Sequence, residues 1–301
     1  MSNIEITLEG GGIRDVFHND WDRCEERGLL HIEDLEGWFG GVGSSVTPDL
    51  QRFRRHGKFP GRAIRSSRKM DLTLTWLNTL SDESENAYAA AARLASSIAW
   101  DEGPYTMTVK DDSFELSTQV QLDGEPVFQP IRAGSEDAFR MRVPLVATDP
   151  FLYSPPETTI ISGYTRTPVI LPNGFGHEQF NKDGEQVLAW SVPVQNPAAL
   201  TNVGTANAYP VVTIVGNSPA GAEIVLNKGT VQYAAPIFEQ STLVIDYRKG
   251  SATINGRDVS FNLRKREWTH VAPHTSAAPR LTFLSDGASG YAQATLRSTW
   301  I

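Results

Sequence analysis

The chain reads as a mainly β protein with one helix, and three observations predict it. Apolar and polar residues alternate in short runs along most of its length, the period of a half-buried strand. Turn residues, chiefly Gly, Pro, Asp and Asn, separate those runs. One alanine-rich segment, residues 82–100, departs from this and repeats with a helical period. At 301 residues, and about 150 residues per domain, two cores are expected, each large enough to fold.

The elements follow in order. Asp71–Leu77 places Leu72, Leu74 and Trp76 on one face and Thr73 and Thr75 on the other. Ser81 or Asp82 caps the helix, with Asp82 and Glu85 close to a capping box. Ala87, Ala91, Leu94 and Ile98 form its apolar stripe, and Gly103-Pro104 stops it. Tyr105–Lys110 and Phe114–Leu122 are strands joined by Asp111-Asp112-Ser113. Phe139, Met141, Val143 and Leu145 alternate with Arg140, Arg142 and Pro144, and the proline marks an edge or a bulge.

The expected domain boundary lies at Asp149-Pro150 to Pro155-Pro156, where X-Pro steps hold the chain extended. It separates an N-terminal domain at 1–150 from a C-terminal one at 151–301. Beyond it only strands and turns are expected: Val187–Val194, Val211–Val215, Leu243–Asp246, Ala252–Ile254, Val259–Leu263 and Ala292–Trp300. Arg248-Lys249-Gly250 closes one hairpin and Asn255-Gly256 signals a type I′ turn. Such spacing indicates an antiparallel sandwich or jelly roll.

Several stretches together resemble the distal tail (Dit) or minor tail proteins of long-tailed bacteriophages. They are Gly61-Arg62 with Arg68 through Leu74, Asn202 through Ile214, Leu243 through Asp246 with Ala252 through Val259, and Asp149-Pro150-Phe151-Leu152-Tyr153. The resemblance spans nearly the whole chain. It implies an N-terminal split β-barrel with a flanking helix and a C-terminal galectin-like sandwich. It further implies a virion structural protein at the tail tip or baseplate, active in host attachment, whose hexameric ring joins the tail tube protein to the tip hub. No cofactor is implied. Residues 17–43 match that layout least.

Bulk properties limit the alternatives. The formal charge of −8 argues against a nucleic-acid binder as a whole. A lone cysteine, Cys24, excludes an internal disulfide. No run approaches the about 20 apolar residues a membrane helix needs. Met-Ser-Asn-Ile-Glu-Ile-Thr lacks the features of a secretory leader, so assembly in the host cytoplasm is expected.

Chemistry finds little support, and the expectation is a protein that is not an enzyme. Gly287-Ala288-Ser289-Gly290-Tyr291 lacks the second glycine of a nucleophile elbow, and Gly40-Gly41-Val42-Gly43 precedes no clear helix. His270 and His274 have a helical metal-pair spacing, but Pro273 lies between them. Asp20/Asp22, Asp111/Asp112 and Asp123/Glu125 sit in polar turns, where carboxylates cap loops more often than they catalyse. The competing class is a carbohydrate-binding module contacting host-wall polysaccharide, with Trp190, Tyr233, Tyr247 and Trp268 as candidate stacking residues.

The sharpest anomaly is basic. From Gln51 to Lys69 the chain carries Arg52, Arg54, Arg55, Lys58, Arg62, Arg65, Arg68 and Lys69 and no acidic residue. A solvated loop is the bland reading. The functional one is a contact with an acidic surface on a neighbouring subunit, with Arg52, Arg54, Arg55, Lys58 and Arg62 as interface candidates.

Overall fold

The computed structural model describes residues 3–11, 13–20, 30–40, 45–46, 50–51, 56, 58–59, 64–77, 104–133, 136–165, 179–180, 186–187 and 199–301. The described chain is mainly β. It divides into two compact units, Met1–Pro155 with Trp300–Ile301, and Pro156–Thr299. The expected helix at 82–100 lies outside the described residues.

Unit 1 begins with β1 (Glu5–Gly10), β2 (Ile13–His18) and β3 (His31–Glu36). Four two-residue strands follow: β4 (Ser45–Val46), β5 (Leu50–Gln51), β6 (Lys58–Phe59) and β7 (Ile64–Arg65). The long strands come next: β8 (Arg68–Leu77), β9 (Tyr105–Lys110), β10 (Glu115–Leu122), β11 (Val127–Ala133) and β12 (Glu136–Ala147), before a short β13 (Leu152–Tyr153). The main sheet runs β11-β12-β8-β3-β2-β1-β9-β10-β13, then Thr299–Trp300, and β12 also pairs with β10. That added pairing closes β12-β8-β3-β2-β1-β9-β10 on itself. Closure leaves those strands no free edge and encloses one core.

Alternation decides what fills it. Phe139, Met141, Val143 and Leu145 of β12 stand opposite Trp76, Leu74, Leu72 and Met70 of β8, and all eight are buried. Each such side chain contributes on the order of 2 kcal/mol by leaving water. Trp76 stacks on Phe139 with ring centroids 5.3 Å apart. The opposite faces carry charge, and pair it: Arg142 with Asp71 at 2.7 Å, Lys69 with Asp123 at 2.7 Å, and Arg140 with Glu33.

Pro144 is on neither an edge strand nor a bulge, contrary to expectation. β12 has β8 along one side, and on the other it meets β11 as far as Arg142 and β10 from Leu145. The Pro144 carbonyl accepts the Asp123 N–H at 2.9 Å, so its nitrogen faces that same side. The missing donor falls where one neighbouring strand gives way to the next.

Unit 2 opens with β14 (Glu157–Thr165), then two-residue β15 (Gln179–Phe180) and β16 (Gln186–Val187), and β17 (Leu200–Asn202). It continues through β18 (Val211–Asn217), β19 (Ala222–Leu226), β20 (Gly229–Tyr233), β21 (Thr242–Asp246), β22 (Ser251–Ile254) and β23 (Arg257–Asp258). The last strands of the unit are β24 (Leu263–Arg266), β25 (Thr275–Ala277), β26 (Arg280–Phe283) and β27 (Ser289–Leu296), and the chain ends in β28 (Thr299–Trp300), the last strand in the order of the first sheet. The pairing order is β23-β22-β21-β18-β27-β14-β26-β19-β20-β24.

β14 serves two sheets. Glu157–Ser162 pair antiparallel with β27, and Gly163–Thr165 pair parallel with β26. The switch falls at Gly163, where a Cβ would lie 2.1 Å from the Phe283 ring, so only glycine lets the strand turn over that side chain. Val212, Ile214 and Ile245 from one sheet and Ile224, Val231 and Phe283 from the other share a single buried cluster. The unit is therefore a two-layered sandwich.

Turn chemistry holds at the hairpins. Asn255 and Gly256 have φ of 47° and 80°, as a type I′ turn requires. Val259–Leu263, expected as a strand, is instead a 3-10 turn at Ser260–Asn262 leading into β24. The cause is local: Asp258 Oδ1 accepts the Ser260 N–H at 2.8 Å and its hydroxyl at 2.5 Å, which bends the chain before a ladder can form. The expected strand Ala292–Trp300 divides into β27 and β28, with Arg297-Ser298 between. Of Val187–Val194, only Val187 is described, in β16.

Candidate assembly surface

The basic segment separates into parts with different environments. Arg52, Arg54, Arg55 and Arg62 lie outside the described residues, and Lys58 opens β6, which pairs with β5. Arg65 is exposed in β7, opposite Ser45 of β4. The last two cations are already used within the unit. Lys69 holds Asp123, whose carboxylate raises the lysine's pKa by hydrogen bonding and charge.

Arg68 is the larger departure, being only 1% exposed. Its Nε donates to the Pro150 carbonyl at 3.0 Å. Its Nη1 donates to the carbonyls of Gly37, at 3.3 Å, and Trp38. Burial pulls its pKa down, though a guanidinium stays charged across the working range. Nη2 is buried without a hydrogen-bond partner. Arg68 thus ties the turn after β3 and the start of the junction segment to β8, and cannot reach a partner. Beside it Trp38 is buried, whereas Phe39 is 68% exposed and rests edge-on against Phe114 at 5.4 Å.

The candidate sugar-stacking residues are placed just as unevenly. Trp190 lies outside the described residues. Tyr233 and Tyr247 are each 2% exposed, inside the sandwich core. Trp268 is partly buried against that core and meets Tyr247 edge-on at 5.5 Å. Neither tyrosine offers a ring face to a ligand. The burial raises the Tyr247 pKa, since it disfavours the phenolate.

Some of the other chemical candidates have structural employment. Asp111 Oδ1 accepts the Ser113 N–H at 3.4 Å in the β9–β10 turn, and Asp123 pairs with Lys69. Asp22 lies outside the described residues. His270 packs near Tyr209 with ring centroids 5.7 Å apart, and His274 sits in a left-handed turn at φ 55°. Ser289 starts β27, not the helix a nucleophile elbow needs. Among the described residues no three His, Cys, Asp or Glu side chains converge on a metal-sized site. No helix among them is long and apolar enough to cross a membrane.

The Asn202–Ile214 stretch has a structural basis that its composition did not disclose. Asn202 is fully buried, and its amide donates to the carbonyls of Ala206, at 2.7 Å, and Val271, at 3.0 Å. Its Oδ1 accepts the N–H groups of Gly204, at 3.0 Å, and Thr299, at 3.3 Å. At Gly204 a Cβ would fall 2.0 Å from the Thr299 carbonyl oxygen, so the backbones meet there only because the residue is glycine. Exposed aromatics were the other features missed: Phe238 and Phe261 are 67% and 78% exposed. Asp258-Val259-Ser260 was the available signal for the turn that carries Phe261 outward.

No protein-family model matches the sequence, and no curated protein is similar to it. Solved structures do match. The fold is one seen in solved phage proteins. The crystal structure of Dit (gp 19.1) of phage SPP1, described as a paradigm of the hub adsorption apparatus in phages infecting Gram-positive hosts, aligns with a TM-score of 0.58 at 10% identity. It covers 98% of this chain and 99% of its own. A chain of the phage P2 baseplate in its activated conformation with Ca aligns with a TM-score of 0.50 at 11% identity, covering 99% and 98%. At such identities the shared property is the fold, and it extends over both units.

Proposed function

We propose that this chain is a distal tail protein of a long-tailed bacteriophage, a non-enzymatic virion component at the tail tip. The single observation that carries this reading is whole-chain fold likeness to SPP1 Dit, with nearly complete coverage in both directions. In this reading unit 1, whose main sheet closes through β10 and β12, is the split β-barrel that builds a hexameric ring between tube and hub. Unit 2 is the galectin-like sandwich. It carries peripheral tail partners.

The basic loop stands at the subunit boundary, with Arg52, Arg54, Arg55, Lys58 and Arg62 facing acid on the next copy. Arg68 and Lys69 are excluded from that role, because both are engaged inside their own unit. A glycan site built on Tyr233 and Tyr247 is disfavoured by their burial.

The test is complementation of a phage deleted for this gene. The wild-type chain is expected to restore tailed particles, with immunogold against the chain at the tail's distal end. Gold on the capsid, or intact tails without the chain, would overturn the proposal. The Arg54→Glu, Arg55→Glu, Lys58→Glu variant is expected to fold and yet fail to enter particles. Normal incorporation would remove the loop from the interface.

A further inference from the structure

The open side of unit 2 has a charge opposite in sign to the chain's. β23 and β24 are the two ends of its pairing order, and the Ser260–Asn262 turn joins them. From Arg257 to Glu267, the cations Arg257, Arg264, Lys265 and Arg266 are all exposed, against two carboxylates, Asp258 and Glu267, the latter accepting the Thr230 N–H at 2.9 Å. The whole chain carries −8. Local charge of this kind selects an acidic partner.

Some of these groups are engaged and some are not. Lys265 Nζ lies 3.3 Å from Glu223 Oε2. Asp258 is committed to Ser260. Arg266 donates from Nη2 to the Ser260 carbonyl at 2.9 Å and from Nε to the Leu263 carbonyl at 3.1 Å. Those carbonyls fix its guanidinium on the strip without neutralising it. Arg257 and Arg264 form no ion pair among the described residues. In the chain, Phe261 lies between them and is 78% exposed.

Backbone geometry narrows the partner further. β24 has β20 on one side and no strand on the other among the described residues. Alternate residues of such an edge turn N–H and C=O groups outward, where an extended chain can add. Charged edges also serve to block strand pairing. A blocking edge, however, gains nothing from a displayed aromatic, and Phe261 is what distinguishes docking from blocking.

We infer that this strip docks an acidic, extended segment of another protein chain. The segment's main chain lies along β24, its carboxylates meet Arg257 and Arg264, and one apolar side chain covers Phe261. The inference stands apart from the tail-tip assignment and does not depend on it.

The test is fluorescence anisotropy of a short fluorescein-labelled peptide alternating Glu and Val, titrated with the full chain. Saturable binding is expected. The Arg257→Glu, Arg264→Glu variant weakens it at least about ten-fold, and Phe261→Ala about five-fold. These side chains are exposed, and circular dichroism melting confirms that each variant is folded. Failure to saturate, or equal binding of a Lys–Val peptide, would overturn the inference. So would polyphosphate binding as tightly as the Glu–Val peptide with Phe261→Ala unaffected, since the strip would then be a general polyanion surface.

Discussion

Arg68 in unit 1 and Asn202 in unit 2 are both buried, at 1% and 0% exposure, and both tie distant segments together through backbone groups. They differ in completeness. Asn202 uses both amide hydrogens and accepts twice at its oxygen, which fills the capacity of a side-chain amide. Arg68 reaches three carbonyls, yet carries an uncompensated charge and leaves Nη2 unpartnered. A neutral hub with every bond made retains its full net benefit. A charged hub with one bond missing gives back part of its gain as desolvation.

The largest expected effect follows from removing the complete hub. Asn202→Leu strands the Ala206 carbonyl and two N–H groups in an apolar core, while the Val271 carbonyl keeps the Ala208 N–H at 3.0 Å, and should destabilise unit 2 by about 4 kcal/mol. Native-state hydrogen exchange read by mass spectrometry reports each unit through its own peptides, so the loss should appear in β17, β25 and the residues around Thr299 first. Arg68→Met keeps the aliphatic stem and relieves a buried charge, and should cost unit 1 about 2 kcal/mol. If the arginine substitution unfolds its unit while the leucine one is tolerated, the contrast drawn between the hubs is reversed.

A gain is expected next. The Tyr247 hydroxyl is buried with no hydrogen-bond partner, so Tyr247→Phe should stabilise unit 2 by about 1 kcal/mol while keeping the ring contact with Trp268. A lower melting temperature would show that the hydroxyl is satisfied in solution.

The smallest effect belongs to the exposed ion pairs of unit 1. Hydrogen bonding from Arg140 holds the Glu33 carboxyl below its usual pKa. A depressed carboxylate contributes its stability above the unfolded value, about 4.3. It loses that contribution as pH falls through the folded pKa. Both side chains are more than a third exposed, so less than about 1 kcal/mol is at stake. The stability difference between wild type and Glu33→Gln, from urea unfolding, should be constant near neutral pH and shrink in acid below about pH 4. A difference that grows in acid would show that another group dominates.

Much of the architecture was legible in the residues, because period-two alternation records which face a strand buries. Leu72, Leu74 and Trp76 and their partners in β12 were readable on that basis alone, whereas Met70, one residue before the expected strand, was not. The Asn255-Gly256 turn was readable because few dipeptides accept two positive φ angles. The candidate sites were far less legible. Tyr233 and Tyr247 have the composition of sugar platforms, and nothing local states which side of a sheet faces inward. Arg68 looks like its seven basic neighbours in the chain, although it alone is shown to be buried against carbonyls from residues 37, 38 and 150.

Many strand positions, the Asn255-Gly256 turn and the absence of any strong catalytic signature were determined by the sequence, since each depends on residues within a few positions of one another. Tertiary structure alone decided that β10 and β12 close a sheet, that Asn202 meets Thr299, and that Phe261 projects while Tyr247 is enclosed. Those outcomes join segments far apart in the chain. Whether a polar or aromatic side chain meets a partner there depends on where distant backbone comes to rest, which no local pattern encodes.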